Sequence, residues 1–241
     1  MEPLDVRDVD ERLPDDSVPA SGHTRAGYLG FVAHEIRNPL STALWTAELL
    51  ARMPTEERGG PRGEKLSAMC LRSVARVRQL VEDHLLSERL DAGGFGLRIE
   101  PVVVADAVAA VLERRPPECS PATVELDRRL AVAADRALLE RAIDGLVAVA
   151  GADRTPLHLA ARAEGGLVEL KVTGHPADPA ALADPVKGSP SDASGRALSL
   201  PLARRIARVL GGTLSMGEGS WKLTLPAAGA YTSRPTPAAD P

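Results

Sequence analysis

Aromatic residues, cysteine and excess positive charge are all scarce in this chain of 241 residues. Phe, Trp and Tyr make up only 2% of the chain, so any hydrophobic core must be built from Leu, Val, Ile and Ala. The two cysteines, Cys70 and Cys119, form no metal-binding or redox motif, which is typical of a reduced, cytoplasmic protein. The formal net charge of −4 excludes the broad basic surface that holds nucleic acid.

Long hydrophobic runs are also missing. The longest apolar stretches, such as 101–112, are too short and too interrupted to span a bilayer. The N-terminal sequence MEPLDVRDVDERLPDD is acidic and polar, whereas a signal peptide begins with basic residues and continues with an apolar core. We therefore expect a cytoplasmic protein that has no membrane span and does not bind nucleic acid.

Two segments in the first half have the hydrophobic period of amphipathic helices. Residues 24–52 and 64–90 place apolar side chains three or four residues apart, and the Pro- and Gly-rich stretch MPTEERGGPRG between them must be a loop. A two-helix hairpin cannot bury its apolar stripe alone. The stripe could pack on the rest of the same chain, but we favour dimerisation into a four-helix bundle.

The second half alternates between helical and strand patterns. A strand is expected to lead into a helix at LRIEPVVVADAV, and a further strand at ATVELDRRL. Asp135 is placed to cap a helix over DRALLERAIDGLVAVA. Two strands around a Gly-Gly turn (LHLAARAEGGLVELKVTG), a helix (LSLPLARRIARVLGG) and a hairpin (TLSMGEGSWKLTLP) follow. The elements predict an α/β sandwich with one sheet and helices on one face.

The fold class is therefore α+β, with a helical hairpin followed by a sandwich domain. We divide the chain into a disordered lead (1–22), a helical hairpin (23–92), a sandwich domain (93–226) and a disordered tail (227–241). The lead and the tail are assigned from their proline content and their lack of any sustained period.

The stretch FVAHEIRNPL, residues 31–40, carries the first candidate site. On a helix, Val32, Ile36 and Leu40 are expected to point to the core, which leaves His34 facing water. A neutral imidazole is a good nucleophile when a neighbouring carboxylate accepts or orients the proton on its other nitrogen, and Glu35 is such a neighbour.

Two further residues set this stretch apart from an ordinary solvated helix face. Asn38 lies one turn after His34 on the same face and can donate a hydrogen bond to a phosphoryl oxygen or a water. Pro39 removes a helical hydrogen bond and bends the helix, at a cost of roughly 3 kcal/mol in an unconstrained interior. A random surface has no evident reason to bear that cost.

HEIRNPL, within F-x-x-HEIRNPL-S and followed by ELL, resembles the H-box of two-component sensor histidine kinases. The resemblance implies that His34 is the phosphoacceptor, that Glu35 assists proton transfer, and that Asn38 serves phosphotransfer and dephosphorylation. It also implies a homodimer built on the hairpin and a response-regulator receiver domain as partner. We expect Arg37, Pro39 and Leu40 to form part of the surface on which the receiver docks.

The second half resembles the ATP-binding domain of the same family in outline only. Gly145 and Val149 stand where the family has two asparagines, one of which coordinates magnesium, and valine cannot ligate a hard cation. Gly174, or Thr173 in a shifted register, replaces the aspartate that reads adenine. Of the glycines that shape the phosphate loops, Gly195 remains, whereas Pro176, Asp178, Ala197 and Ser199 replace others.

We accordingly predict no cofactor for this chain, with ATP and Mg²⁺ retained only for the case that the divergent pocket functions. The other histidines receive structural interpretations. His84 is expected to lie within the bundle, and His23, His158 and His175 have no partners at ligand spacing, so no metal site is predicted.

Three functions remain open on these residues. The favoured one is a histidine phosphotransferase that exchanges phosphate between His34 and a receiver aspartate. The second is an active cytosolic histidine kinase with a divergent nucleotide pocket. The third is a non-catalytic scaffold or inhibitor of a kinase or response regulator. Nucleotide binding separates the first from the second, and a His34→Ala substitution separates both from the third.

Overall fold

The computed structural model describes residues 22–93, 96–115, 121–175 and 198–229. The first region is a hairpin of two long helices, α1 (Gly22–Arg52) and α3 (Pro61–Asp91), joined through the single turn α2 (Thr55–Arg58). The two predicted helices are confirmed. Helix α3 begins three residues earlier than expected because proline, with its fixed φ and missing amide proton, is well suited to the first helical turn.

The connection between α1 and α3 is held by Arg58. Its Nε donates to the carbonyl of Met53 at 3.0 Å, and its Nη2 donates to the carbonyl of Ala51 at 2.9 Å, so two carbonyls at the end of α1 are satisfied. Gly63 allows the first turn of α3 to approach this loop, since a Cβ there would lie 2.0 Å from the carbonyl oxygen of Arg58. The turn residues thus fix the hairpin geometry.

The second region contains β1 (Glu100–Val103), α4 (Val104–Glu113), β2 (Ala122–Glu125), β3 (Ala131–Ala134), α5 (Arg136–Ala150), β4 (Leu157–Glu164), β5 (Leu167–Thr173), α6 (Ser199–Val209), β6 (Thr213–Gly217) and β7 (Ser220–Pro226). Five strands form one sheet in the order β2-β4-β5-β7-β6. Strand β2 pairs in parallel with β4, and the other neighbours are antiparallel. The predicted sandwich is confirmed.

One strand was missed, and it changes the sheet count. Strand β3 pairs with β1 as a separate two-stranded ribbon beside the main sheet, so the described part of the chain has two sheets where one was expected. Its sequence, AVAA, lacks the β-branched and aromatic residues that mark a strand, apart from Val132. Burial in the core, rather than intrinsic propensity, places this segment in a strand.

The core of the second region lies between the sheet and helices α4, α5 and α6. Ile143 on α5, Ile206 on α6 and Trp221 on β7 are among its fully or almost fully buried side chains. Asp135 caps α5 as predicted, since its carboxylate accepts from the amides of Ala137 and Leu138 at 3.1 and 3.2 Å. The Gly-Gly turn is confirmed, with both glycines at positive φ.

The predicted lead and tail fall almost wholly outside the described residues. At the tail, Ala227 forms an isolated bridge with Val132 of β3. Within the described ranges, no helix is both long enough and apolar enough to cross a membrane.

Candidate functional site

His34 lies on the exposed face of α1, as the sequence predicted. Its side chain is 56% exposed. Val32, two residues earlier, is buried at 5% exposure, because two residues correspond to about 200° around a helix and place the two side chains on opposite sides. The imidazole is therefore accessible to a second protein, while the helix that carries it is held from behind.

Glu35 is the buried neighbour of the imidazole. Its Oε1 lies 3.8 Å from Nδ1 of His34, and its side chain is only 9% exposed. The separation exceeds a hydrogen bond, for which about 3.2 Å is the limit, but it is short enough for the carboxylate charge to act on the imidazole. A carboxylate on the Nδ1 side favours a proton there, which leaves Nε2 with the lone pair that a nucleophile needs.

Asn38 is exposed one turn after His34, and Pro39 lies inside a continuous helix. The hydroxyl of Thr42 donates to the carbonyl of Asn38 at 3.2 Å, and that of Thr46 donates to the carbonyls of Thr42 and Ala43 at 2.8 and 2.9 Å. Such back-bonding by threonine competes with the helical hydrogen bonds and often bends a helix. The segment after His34 nevertheless remains helical through Pro39.

The residues expected to contact a receiver are divided between two faces. Arg37 and Leu40 are exposed, and Pro39 is partly buried. The expectation that Leu40 points to the core is wrong for the single chain, since its side chain is 53% exposed. Helix α1 carries two apolar stripes, one packed on α3 and one uncovered, and Leu40 belongs to the uncovered one.

The uncovered stripe continues on both helices of the hairpin. Its exposed members are Leu29, Leu40, Leu44, Leu71, Val74, Val81 and Leu85, with exposures between 40 and 71%. Exposed apolar surface of this extent on two neighbouring helices marks an interaction surface. It is the surface that a second hairpin covers in a four-helix bundle.

Trp45 shares the exposed face of His34, and the sequence interpretation did not single it out. It lies eleven residues after His34, which is about 20° from it around the helix and roughly 16 Å along the axis. Its side chain is 55% exposed. The sequence could have indicated this position, because Trp45 is one of only two tryptophans in the chain and its helical spacing from His34 places it on the same face.

In the second region, helices α5 and α6 pack closely where the resemblance predicts a nucleotide pocket. A Cβ on Gly145 would lie 3.1 Å from the carbonyl oxygen of Ser199, the first residue of α6. Val149 is 8% exposed and Ser199 is 5% exposed, so both side chains face protein. Pro176, Asp178, Gly195 and Ala197 lie outside the described residues.

The end of β5 is fixed to the end of α5. The amide of His175 donates to the carbonyl of Ala150 at 2.6 Å. A Cβ on Gly174 would lie 2.3 Å from that same oxygen, so the position has no room for a side chain unless the backbone moves. Among the described residues, no cluster of three or more His, Cys, Asp and Glu side chains forms a metal site.

Residues 25–93 match the His Kinase A (phospho-acceptor) domain. This part of the chain is therefore a phosphoacceptor domain of the kind found in histidine kinases, and the chain as a whole is similar to sensor histidine kinases. It is 27% identical over 220 residues to the sensor protein KdpD of Escherichia coli K12, covering 84% of this chain and 24% of KdpD. It is 30% identical over 112 residues to the sensor protein DivL of Caulobacter vibrioides, covering 46% of this chain and 14% of DivL. The chain thus spans a quarter or less of these relatives.

Two solved histidine kinase structures share the fold. The Acinetobacter baumannii histidine kinase AdeS superposes with a TM-score of 0.60 at 20% identity, over 80% of this chain and 97% of AdeS. Full-length ShkA in complex with AMPPNP gives a TM-score of 0.53 at 21% identity, over 83% of this chain and 45% of ShkA. The helical hairpin followed by an α/β sandwich is therefore the arrangement of histidine kinase cores, and His34 lies within the matched phosphoacceptor domain.

Proposed function

We propose that this protein is a histidine phosphotransferase of a phosphorelay. It takes a phosphoryl group from the aspartate of one receiver onto His34 and passes it to the aspartate of another receiver. The observation that carries the proposal is the exposed imidazole of His34 beside the buried carboxylate of Glu35, inside the phosphoacceptor domain. The hairpin supplies a rigid platform on which a receiver can place its aspartyl phosphate against the ring.

The transfer is a substitution at phosphorus. Nε2 of His34 forms the P–N bond as the P–O bond to the receiver's aspartate breaks, and that carboxylate leaves with the electron pair. The ring proton stays on Nδ1, where the charge of Glu35 stabilises it. Asn38 donates a hydrogen bond to a phosphoryl oxygen. Reversal of these steps delivers the group to the next receiver.

The residues at the nucleotide positions favour a phosphotransferase over a kinase. Gly145, Val149 and Gly174 carry no side-chain oxygen, so none of their side chains can ligate Mg²⁺ or accept from the adenine amino group. Thr173, the alternative to Gly174 in a shifted register, offers a hydroxyl in place of the family's carboxylate. Gly145 packs closely on Ser199 and Gly174 on Ala150, so a longer side chain that could ligate Mg²⁺ or read adenine meets the backbone at both positions. These residues support a phosphotransferase that takes its phosphate from a receiver and not from ATP.

An active histidine kinase with a divergent pocket is the second candidate. The observation in its favour is the shared fold with full-length ShkA, whose structure is in complex with AMPPNP. A scaffold or inhibitor that docks without accepting phosphate is the third candidate, and it needs no chemistry at His34.

The partners follow from the surfaces of the hairpin. The uncovered apolar stripe on α1 and α3 supports a homodimer, as the phosphoacceptor domain implies. The face that carries His34, Asn38 and Trp45, with Arg37, Pro39 and Leu40 at its border, supports docking of a response-regulator receiver domain. A relay of this kind operates in the cytoplasm.

The decisive experiment incubates the full chain with a receiver that carries ³²P on its aspartate. We expect label that is stable in base and lost in acid, as a phosphoramidate is, and its complete loss in His34→Ala. His158→Ala is the matched control, because His158 also has a carboxylate nearby, with Nε2 3.3 Å from Oε1 of Glu125, and is 44% exposed. We expect Glu35→Ala to slow labelling without abolishing it.

A parallel reaction with labelled ATP and Mg²⁺ separates the first two candidates. Labelling of His34 from ATP at a rate comparable to labelling from the receiver would replace the phosphotransferase with a kinase. If His34→Ala accepts label from the receiver as well as the parent does, both are wrong and the scaffold remains.

A further inference from the structure

One face of α3 joins the hairpin to the second region. Asp83, Ser87 and Asp91 follow one another at intervals of four residues, which places them in a row along the helix. Arg141 of α5 and Arg205 of α6 contact this row. Residues of the nucleophilic site take no part in these contacts, so the phosphotransfer mechanism does not account for them.

The inner contact of this row is buried. Nε of Arg141 donates to Oδ1 of Asp83 at 2.8 Å, and its Nη2 donates to both oxygens of the same carboxylate. Gln79 donates to Oδ1 of Asp83 at 3.1 Å, and Asp144 accepts from Nη1 of Arg141 at 2.6 Å. The side chains of Asp83 and Arg141 are 3 and 18% exposed. A bidentate pair at this depth fixes both distance and orientation.

The outer contact lies one to two turns further along α3. Nη1 of Arg205 donates to the hydroxyl of Ser87 at 2.6 Å, and its Nε lies 3.1 Å from Oδ1 of Asp91. Ser87 is buried, whereas Arg205 and Asp91 are partly open to solvent, at 31 and 52%. Two arginines from two different helices therefore hold the same face of α3.

An apolar contact completes the attachment. Leu198, directly before α6, packs against Val32 of α1 and Leu80 of α3, and all three are buried. Val32 lies on the side of α1 opposite to His34, about 200° away. The second region is thus held against the back of α1, and its attachment leaves the face of His34 uncovered.

We propose that Asp83–Arg141 and Ser87/Asp91–Arg205, together with Leu198, form an interdomain clamp. The clamp holds the sandwich domain on the side of α1 away from His34, so that this domain does not cover the His34 of its own chain and the open face is left to a separate protein. That the open face serves a separate protein rests on the proposed function, whereas the clamp itself does not.

The test measures the distance between the two domains in the full chain. Cys70 and Cys119 are replaced by serine, and spin labels are placed at the exposed positions Arg72 of α3 and Glu164 of β4. Labelled chains are diluted with unlabelled chains, so that within a homodimer only the distance inside one chain is measured. We expect a single narrow distance distribution in the parent.

Clamp variants are Asp83→Asn, Arg141→Gln and Arg205→Ala, alone and combined. We expect the combined Arg141→Gln/Arg205→Ala variant to give a broad distribution with a longer mean distance, and the single variants to lie between. Arg136→Gln is the control, because Arg136 lies on the same helix as Arg141 but its ion pairs, to Glu100 and Glu140 at 4.0 and 3.6 Å, stay within the second domain. It should keep the parental distribution.

Circular dichroism establishes that each variant is folded, and the partly exposed Arg205 provides a substitution that the fold tolerates if Asp83→Asn does not accumulate. A parental distribution in the folded double variant would overturn the clamp. The distance measurement involves no phosphate, so it fails independently of the function. If His34→Ala loses the label and the clamp variants keep the parental distances, the phosphotransferase is retained and the clamp is removed.

Discussion

The two tryptophans of the chain show how differently its two regions are built. Trp221 of β7 is 2% exposed and lies in the core of the sandwich, whereas Trp45 of α1 is 55% exposed and packs against neither hydrophobic cluster. The same contrast holds for the large aliphatic residues, since most of the exposed ones belong to the hairpin. The sandwich buries most of its apolar residues, with Leu90 of α3 joining its core, and the hairpin presents apolar surface to other molecules.

This difference separates the roles of the two regions. A domain that buries its apolar residues is stable by itself, and substitutions in it act on folding. A hairpin with uncovered stripes needs partners, and substitutions on its surface act on association. The same kind of substitution should thus have different consequences in each region. Four changes test this, in decreasing order of their expected effect on folding or dimerisation.

Truncation of the buried tryptophan should have the largest effect. Trp221→Ala removes a fully enclosed indole and leaves a cavity, so we expect it to lower the free energy of unfolding of the sandwich by about 3–5 kcal/mol. Thermal unfolding followed by circular dichroism measures the change. Dimerisation of the hairpin should persist, and loss of both properties together would show that the two regions fold as one unit.

A charge on the uncovered stripe should act on the dimer. Leu71 is 71% exposed in the single chain, and Leu71→Asp would bury a carboxylate at the proposed interface at a cost of about 3 kcal/mol, roughly 100-fold in Kd. Analytical ultracentrifugation measures the dissociation. Leu167→Asp, at a 44% exposed leucine of the sandwich, is the control and should remain dimeric. Dimerisation of Leu71→Asp at parental strength would place the interface elsewhere.

Gly174 tests the closed end of β5. Because an added Cβ would lie 2.3 Å from the carbonyl of Ala150, we expect Gly174→Ala to destabilise the sandwich by about 1–3 kcal/mol. Gly217→Ala is the control, since its nearest neighbours are side-chain atoms of Lys222 at 4.0 Å. Chemical unfolding measures both. A neutral Gly174→Ala would mean that this end opens readily, which would favour the kinase interpretation.

The sequence predicted the parts of the fold that repeat or carry a motif. The helical period located both helices of the hairpin, the turn chemistry located the Gly-Gly hairpin, and the motif HEIRNPL located His34 on an exposed helix face. Leu40 was misplaced for a physical reason. Two apolar stripes share α1, and the period alone does not tell which stripe packs inside the chain and which awaits a partner.

Other features depend on contacts that no local pattern encodes. Asp83 and Arg141 are 58 residues apart, and Ser87 and Arg205 are 118 residues apart. Nothing in the neighbourhood of either arginine distinguishes it from a solvated charge, so the clamp emerges only from the packing of α5 and α6 on α3. Strand β3 was missed likewise, because burial rather than propensity determines it.

Trp45 tests the comparison where the expected change in stability is smallest. An exposed side chain contributes little to folding, so Trp45→Ala should change the free energy of unfolding by no more than about 0.5 kcal/mol.

Exposed tryptophans are frequently the residues that dominate an interface, and Trp45 lies on the face of His34. We therefore expect receiver affinity to fall by about 2 kcal/mol, roughly 30-fold in Kd, with Trp45→Phe retaining most of it. Titration calorimetry with the receiver measures the change in Kd. The kinetics of phosphoryl transfer from the receiver to His34 should show a higher KM at unchanged kcat. Parental affinity in Trp45→Ala would remove it from the docking surface, and dissociation of the homodimer would assign it to the bundle instead.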